Sequence, residues 1–327
     1  MDTISTDQIF SISTSSQFER IALEVFHYQA GQCPIYSEFI SGLGIDPLSV
    51  QKVSDIPFLP IQFFKSHSVI SGNKKPEITF SSSATSGVQS QHQVTDLSIY
   101  EHSFREGFKK HYGGVKQYAI LALLPSYLER EGSSLIYMVD DLIRKSENSK
   151  SGYFLHNHAD LYQALQELKE KNTATILIGV TYALLDFAEQ YKIDFPNLIV
   201  METGGMKGKR KELIREELHA VLQKGFGVSS IHSEYGMTEL LSQAYSKGTG
   251  IFKCPPWMQI NIRDINDPFT LLDPGKTGGL NVIDLANINS CSFIATQDLG
   301  KLYPDGSFEV LGRFDNSDMR GCNLMVQ

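Results

Sequence analysis

The composition is that of an ordinary globular chain without a basic surface. Its 327 residues are 41% hydrophobic and 20% charged. This length exceeds the size at which single cores stop growing, so we expect one large domain with subdomains or two domains. The formal net charge of −8 argues against a general nucleic-acid binder, since such proteins need basic groups to displace counterions from phosphates. A small-molecule partner is expected instead.

The start of the chain and the lack of a long apolar run indicate a cytoplasmic protein without a membrane span. The start, Met1–Asp7, is acidic where a secretory signal would be basic. No apolar run approaches the roughly 20 residues of a transmembrane helix. The four cysteines lack the spacing of a zinc site or of a disulfide framework: Cys33, Cys254, Cys291 and Cys322.

The first part of the chain is predicted to be mostly helical. Apolar residues recur at helical spacing over Phe18–Phe26, within a helical region that extends to about residue 70. Pro57 and Pro60 then begin an extended passage that continues through Phe64. A short β-prone run at 78–80 leads directly into the seven small residues of Ser81–Gly87.

From about residue 96 the pattern alternates between helix and strand. Helices are predicted over 96–110, 160–170, 182–190 and 211–224, and strands over 118–124, 175–178 and 198–201. The last helix is predicted to bury one apolar face, formed by Leu213, Ile214, Leu218, Val221 and Leu222. The alternation predicts an α/β fold with a mainly parallel sheet and flanking helices. Such sheets bind ligands at the carboxyl ends of their strands.

Beyond residue 250 short alternating runs are separated by turns. Strands are predicted over 258–262, 279–283 and 307–311, which indicates a β-rich subdomain. The predicted organisation is therefore an α/β nucleotide- and acyl-binding region over 1–250, a β-rich subdomain over 251–313 and a tail over 314–327.

The stretch Ser233–Glu239 carries the equipment of a nucleotide site. Tyr235 can offer a flat face to a base, and Gly236 lets the chain turn without a Cβ in the way. Thr238 can donate to a phosphate oxygen, and Glu239 can hold a hard cation. Taken alone, the same residues also fit a turn that opens a helix.

Two glycine- and serine-rich stretches could contact other parts of a nucleotide. Ser81–Gly87 is hydroxyl-rich and follows a predicted strand, so it can wrap a polyphosphate, although it could also be a linker. No Gly-Lys-Ser/Thr follows it, so it is not a P-loop. Gly204–Gly205 allows a close backbone approach to the edge of a base, or forms the turn before a helix.

The β-rich part supplies a carboxylate and a guanidinium at the spacing of a hairpin. Asp298 could accept hydrogen bonds from two ribose hydroxyls, and Arg313 could reach ribose or phosphate. The alternative for Asp298 is a turn former at the end of a strand.

In their order along the chain, the four stretches resemble the core motifs of the adenylate-forming superfamily, which includes acyl-CoA synthetases, luciferases and non-ribosomal adenylation domains. The resemblance implies the fold of that superfamily's large N-terminal domain and the use of ATP and Mg²⁺. It implies an ATP phosphate loop at Ser82, Ser83, Thr85, Ser86 and Gly87. It also implies adenine contacts from Gly204, Gly205 and Tyr235, a place for Gly236 in the nucleotide site, an α-phosphate contact from Thr238, Mg²⁺ on Glu239, ribose on Asp298 and a nucleotide contact from Arg313.

Within that superfamily, the runs Leu124–Arg130 and Met201–Gly205 look most like the acyl-protein synthetases, the LuxE-type long-chain-fatty-acid–protein ligases. The resemblance spans about residues 50–322. It implies that a fatty acid is activated as acyl-AMP, that the acyl group passes to a cysteine matched by Cys322, and that a partner reductase receives it. Two departures stand out: Val88–Gln91 replaces the usual Pro-Lys, and we expect the small C-terminal domain with its catalytic lysine to be missing.

Two alternatives remain open at this point. One is an acyl- or aryl-CoA ligase of the same superfamily, in which CoA replaces the protein thiol. The other is a non-catalytic nucleotide- or acyl-binding subunit.

His232 either orients a substrate anion or packs beneath the motif. His156 and His158 are expected to be surface residues, since no third metal ligand accompanies them.

Overall fold

The computed structural model describes residues 4–82, 88–125, 132–155, 157–204 and 213–314. The chain forms two compact units. The terminal unit contains Met1–Lys74 and Pro256–Gln327, and the central unit contains Lys75–Pro255. The division predicted from sequence texture groups the first 74 residues with the α/β region instead.

The helices are short to medium in length, and none in the described part of the chain is both long and apolar enough to cross a membrane. Polar side chains cap several of them; the Thr14 hydroxyl, for example, accepts from the Gln17 N–H at the start of the helix that begins at Ser15. The helices are α1 Thr6–Phe10, α2 Ser15–Gln32, α3 Pro34–Gly42, α4 Phe63–Ser66, α5 Leu97–Tyr112, α6 Ser134–Ser146, α7 His158–Glu170, α8 Thr181–Gln190 and α9 Arg215–Phe226.

The central unit is built on a mainly parallel sheet, as the alternating pattern predicts. Its strands are β4 Ala119–Leu123, β5 Gly152–Tyr153, β6 Thr175–Val180, β7 Ile199–Thr203, β8 Ile231–Tyr235 and β9 Ala244–Ser246. They lie in the order β5-β4-β6-β7-β8-β9, and β9 alone among these runs antiparallel to its neighbour. Every residue of β4 and β6 is buried, because both strands are continuous apolar runs in the middle of the sheet. A separate hairpin in this unit joins β2 Ile78–Ser81 to β3 Gln91–Val94, and β10 Ile251–Phe252 follows β9.

The apolar face predicted for the last helix is wrong in part. Helix α9 begins at Arg215, so Leu213 and Ile214 precede it, and Ile214 is 63% exposed. Leu218 and Leu222 are buried as predicted, whereas Val221 is 41% exposed. The buried face of α9 also includes His219, Gly225 and Phe226. Because successive residues of a helix are rotated by about 100°, Val221 lies just outside this face.

Gly225 lets α9 approach α8 closely. A Cβ at Gly225 would stand 2.6 Å from the Cβ of Ala188. Because packed cores resist added volume, Gly225→Ala is expected to lower the free energy of unfolding by about 1–3 kcal/mol. The matched control is Gly107→Ala in α5, where an added Cβ meets nothing within 4 Å; that change is expected to be neutral or to stabilise by up to about 1 kcal/mol. Urea unfolding measures both, and equal effects would contradict this account of the packing.

The terminal unit contains the predicted β-rich region, which is an antiparallel sheet. Its strands are β11 Met258–Arg263, β12 Leu271–Leu272, β13 Thr277–Asp284, β14 Phe293–Leu302 and β15 Phe308–Arg313, with β1 Leu59–Pro60 parallel to β14. The buried side chain of Gln29 on α2 donates to the carbonyls of Asn287 and Ile288 and accepts from the Ser292 N–H. This amide joins the helices to the sheet through satisfied buried polar groups.

The extended passage predicted through Phe64 is wrong at its end. Phe63 and Phe64 lie in the one-turn helix α4, and the Phe64 N–H donates to the Ile61 carbonyl at 3.1 Å. No proline follows Pro60 in this stretch, so the chain can close a helical turn that buries the Phe64 ring.

Candidate functional site at the carboxyl edge of the central sheet

Two adjacent parallel strands deliver the predicted motifs to one edge of the central sheet. Strand β7 ends at Thr203 and continues into Gly204, and β8 ends at Tyr235. Thr203 and Glu234 are register partners, so Gly204 and Tyr235 follow neighbouring strand ends. The sequence periodicity thus places both motifs where open α/β sheets bind ligands.

The Ser233–Glu239 motif does not open a helix, so that interpretation of the sequence is wrong. After β8 the chain makes a turn in which the Leu240 N–H donates to the Met237 carbonyl at 3.1 Å, and it then enters β9 at Ala244. Tyr235 and Glu239 are buried, with Glu239 only 5% exposed, whereas Thr238 is half-buried.

Threonine hydroxyls fix the two strand ends. The Thr181 hydroxyl, at the start of α8, lies 2.6 Å from the Gly204 carbonyl oxygen and 3.2 Å from the Glu202 Oε2. The Thr203 hydroxyl donates to the Glu234 carboxyl at 2.5 Å. Gly204 has a φ of 65°, a left-handed value that favours glycine. The Gly204 carbonyl is therefore held by Thr181, while the Gly204 backbone departs from the extended conformation of β7.

Gly236 is favoured by a neighbouring side chain and not by its backbone angle. It does not have a left-handed φ. A Cβ at this position would overlap the Oε1 of Glu234 and would stand 3.3 Å from the Cγ of Gln243. The carboxyl of Glu234 therefore lies against the Gly236 backbone, and a side chain at this position would require that carboxyl to move.

A buried histidine anchors the β2–β3 hairpin to the motif. Ser82 follows β2, and its hydroxyl accepts from the Ser90 N–H at 2.9 Å. The His92 Nδ1 on β3 lies 2.9 Å from the Thr238 carbonyl oxygen. Burial lowers the pKa of His92 to about 4, so the ring is neutral near pH 7 and its Nδ1–H donates to that carbonyl. His92 therefore joins β3 to the backbone of Thr238.

Six predicted residues lie outside the described residues. They are Ser83, Thr85, Ser86, Gly87, Gly205 and Cys322.

The donor set at Glu239 fits the predicted magnesium ion. Among the described residues no group of three or more histidine, cysteine, aspartate or glutamate side chains could hold a metal by itself. Magnesium in nucleotide sites commonly takes one or two protein carboxylates and completes its coordination with substrate phosphates and waters. A single buried carboxylate such as Glu239 matches that chemistry.

In the terminal unit Asp298 and Arg313 form an ion pair across the predicted hairpin. They are register partners on β14 and β15, and the Arg313 Nε donates to the Asp298 Oδ1 at 3.0 Å. Asp298 is buried while the Arg313 side chain is 75% exposed. Because Asp298 lies within β14, the interpretation as a turn former at a strand end is wrong.

Arg263 is a buried guanidinium that the sequence analysis missed. It donates to the Leu280 carbonyl and the Asn281 Oδ1, each at 2.8 Å, and to the Thr296 carbonyl. A Cβ at Gly279 would stand 2.5 Å from the guanidinium carbon. Gly279, at the start of the strand predicted over 279–283, is the available signal, since a glycine in a strand marks a close approach.

Arg263 also supports the residues next to the ion pair. The Asp298 N–H donates to the Thr296 hydroxyl at 3.1 Å, and the Arg263 guanidinium lies 5.5 Å from the centre of the Phe314 ring. A planar cation over an aromatic face is an attractive arrangement. Arg263 thus contributes to fixing the strands that carry Asp298 and Arg313.

His232 packs within the central unit, which agrees with the second of the two roles that the sequence leaves open for it, packing beneath the motif. Its Nδ1 lies 3.1 Å from the Tyr112 hydroxyl. Burial, and next the positive charge of Lys247, lower the pKa of His232 to about 4. His158 lies beside Gln190 and Phe187, and His156 is outside the described residues.

The fold is that of the adenylate-forming enzymes. The ATP-bound MatB from Rhodopseudomonas palustris matches with a TM-score of 0.56 and 15% identity, covering 72% of this chain and 47% of MatB. A 2-hydroxyisobutyryl-CoA ligase in complex with 2-HIB-AMP and CoA matches with a TM-score of 0.67 and 12% identity, covering 93% of this chain and 77% of the ligase. The chain therefore spans about half the length of MatB. No curated protein sequence matches it.

The family is shown by sequence. The model of the acyl-protein synthetase family, LuxE, matches residues 7–327. The chain belongs to the LuxE acyl-protein synthetase family, which confirms the resemblance drawn from its motifs.

Proposed function

We propose that the protein activates a carboxylic acid with ATP as acyl-AMP, releasing pyrophosphate. The observation that carries this proposal is the arrangement of Gly204 and Tyr235–Glu239 after two adjacent parallel strands. Membership of the acyl-protein synthetase family and the adenylate-forming fold support it. ATP bound in one similar structure, and an acyl adenylate bound in another, support ATP as the co-substrate.

The chemistry converts a poor electrophile into a good one. A carboxylate oxygen attacks the α-phosphorus of ATP, a new O–P bond forms, and the bond to pyrophosphate breaks. Thr238 donates to an α-phosphate oxygen, where negative charge develops in the transition state. When bound on Glu239, Mg²⁺ supplies positive charge beside the phosphates. Tyr235 and Gly204 hold the adenine, so positioning accounts for much of the catalysis.

The remaining roles follow the family resemblance. Ser82 begins the phosphate loop, Asp298 binds the ribose hydroxyls, and Arg313 contacts the nucleotide. The acid is a long-chain fatty acid, and the protein acts in the cytoplasm. These assignments are supported by membership of the LuxE family.

The acyl group is then transferred to a thiol. In the protein-thiol version, the thiolate of Cys322 attacks the acyl carbonyl, a C–S bond forms, and AMP leaves. Arg320 is two residues away in sequence, and a nearby cation favours the thiolate form. An acyl-acceptor protein such as a reductase would receive the group from the resulting thioester.

A second acceptor is favoured by a specific observation. The 2-hydroxyisobutyryl-CoA ligase, which matches over 77% of its length, contains both 2-HIB-AMP and CoA in its structure. CoA could therefore replace Cys322 as the acyl acceptor, with the adenylation step unchanged.

Acid-dependent exchange of labelled pyrophosphate into ATP tests the proposal. Purified protein with Mg²⁺ and ATP should catalyse exchange only when an acid is present, with fatty acids of graded chain length and short polar acids as the panel. Absence of exchange with every acid, in a protein that is folded, would overturn the proposal and would favour a non-catalytic binding subunit.

A further inference from the structure

Glu234 lies at the carboxyl edge of the central sheet and has no part in the chemistry proposed above. Its carboxyl accepts a hydrogen bond from the Thr203 hydroxyl at 2.5 Å. Its other oxygen, Oε1, lies against Gly236, where a Cβ would overlap it. Glu234 thus contacts both the end of β7 and the first residue after β8.

We propose that Glu234 is a positioning residue for the nucleotide, which joins the strand end before Gly204 to the strand end that carries Tyr235 and Gly236. The inference rests on the proposed function, because it takes these strand ends as the ATP site. Glu234 is not assigned a contact with the substrate; it acts through the backbone on either side of it.

The register explains why this residue can do so. Thr203 and Glu234 are partners on parallel strands, so their side chains share one face of the sheet. Thr203 directly precedes Gly204, and Glu234 directly precedes Tyr235, so the hydrogen bond joins the strands one residue before each predicted adenine contact. Thr181 holds the Gly204 carbonyl independently. Loss of the Thr203–Glu234 bond would therefore free mainly the Tyr235 side of the site.

The same carboxyl is poised to change charge near neutral pH. Burial raises the pKa of Glu234 to about 7; the hydrogen bond from Thr203 opposes this shift, and the charge of Glu202 adds to it. A raised pKa means that the folded protein favours the neutral carboxyl below about pH 7, and that the anion forms above it.

The titratable groups around Glu234 do little to stabilise its ionised carboxylate. The tyrosines on α5 and β9 have pKa values raised first by burial and also by the charge of Glu234, so they are neutral: Tyr100, Tyr112 and Tyr245. Glu202 on β7 lies 3.9 Å from His219 of α9, and Tyr112 contacts His232 and lies under Lys247. An ionised Glu234 would add negative charge to an edge that is proposed to bind an anionic nucleotide.

Calorimetric ATP binding, measured from roughly pH 5.5 to pH 8.5 to bracket a pKa near 7, tests the inference without requiring turnover. In the unmodified protein the affinity should fall as the pH rises through about 7. Glu234→Gln keeps an acceptor for Thr203 but cannot ionise, so it should bind ATP at wild-type strength at low pH and lose the inflection. Glu234→Leu and Thr203→Val should each weaken binding about tenfold, the expected effect of one lost hydrogen bond.

A double variant and a surface control separate positioning from general damage. The Glu234→Leu and Thr203→Val effects should not add in the double variant, because both remove the same bond. Glu170→Gln, at an exposed end of α7, should match the unmodified protein. The inference is overturned if Glu234→Gln keeps the inflection, or if Glu234→Leu binds ATP normally. If the folded unmodified protein binds no ATP, the proposed function fails with it.

Discussion

Glu239→Gln is expected to lower acid-dependent pyrophosphate exchange by roughly 100- to 1000-fold, the usual cost of removing one preorganised group that stabilises transition-state charge. The substitution keeps the size of the side chain and removes its negative charge, so the affinity for Mg²⁺ should fall with it. Because Glu239 is 5% exposed, water cannot easily take over its role. Exchange measured over a range of Mg²⁺ concentrations should show the loss partly relieved at high Mg²⁺.

The matched control for this change is Glu170→Gln, which removes one carboxylate from an exposed position in the same unit. It should leave the exchange rate and its Mg²⁺ dependence unaltered. Wild-type exchange in folded Glu239→Gln protein would remove Glu239 from the proposed chemistry.

Cys322→Ser is expected to abolish covalent labelling of the protein by a radiolabelled fatty acid while leaving pyrophosphate exchange intact. A serine hydroxyl is far less nucleophilic than a thiolate near neutral pH, so the adenylate forms but its acyl group is not transferred to the chain. Gel autoradiography after incubation with ATP and Mg²⁺, followed by treatment with neutral hydroxylamine to cleave a thioester, measures the labelling.

The control for labelling is Cys254→Ser, because Cys254 is partly exposed whereas Cys33 and Cys291 are buried thiols whose pKa values are raised by burial. Labelling should persist in Cys254→Ser. If Cys322→Ser still forms a labelled thioester, or if label appears only on added CoA, the protein-thiol version is wrong and the CoA ligase version is favoured.

The sequence predicts the central sheet well because its strands carry their own signal. The runs at 118–124 and 175–178 are continuous apolar segments, and β4 and β6 occupy them. Helices are predicted between these strands, and a helix that connects two strands of one sheet implies that the strands are parallel. Because parallel strands have their carboxyl ends at the same edge of the sheet, the topology alone places Gly204 and Tyr235 at that edge.

Contacts between distant residues could not be predicted in the same way. His92 and Thr238 are 146 positions apart, and no local pattern relates them. The sequence predicts that Gly236 lets the chain turn without a Cβ, but no local pattern indicates that the Glu234 carboxyl lies against it. Val221 fits the helical period but falls at the margin of the buried face, which depends on where α8 packs.

The buried arginine shows a further limit of sequence patterns. Arg263 ends a strand of alternating residues, where a charged side chain is normally expected to face water. Its acceptors come from β13 and β14, so the burial of this cation depends on the complete antiparallel sheet. The roles predicted for Asp298, Arg313 and Cys322 toward substrate stay predictions.

Transfer of oxygen from the acid to the nucleotide tests adenylation most directly. The protein is incubated with ATP, Mg²⁺ and a fatty acid labelled with ¹⁸O in its carboxylate, and the nucleotide products are analysed by mass spectrometry after the acyl group has passed to a thiol. Attack of the carboxylate on the α-phosphorus predicts AMP that contains one ¹⁸O, together with unlabelled pyrophosphate. Unlabelled AMP, or ADP with ¹⁸O in inorganic phosphate, would contradict the proposed acyl-AMP.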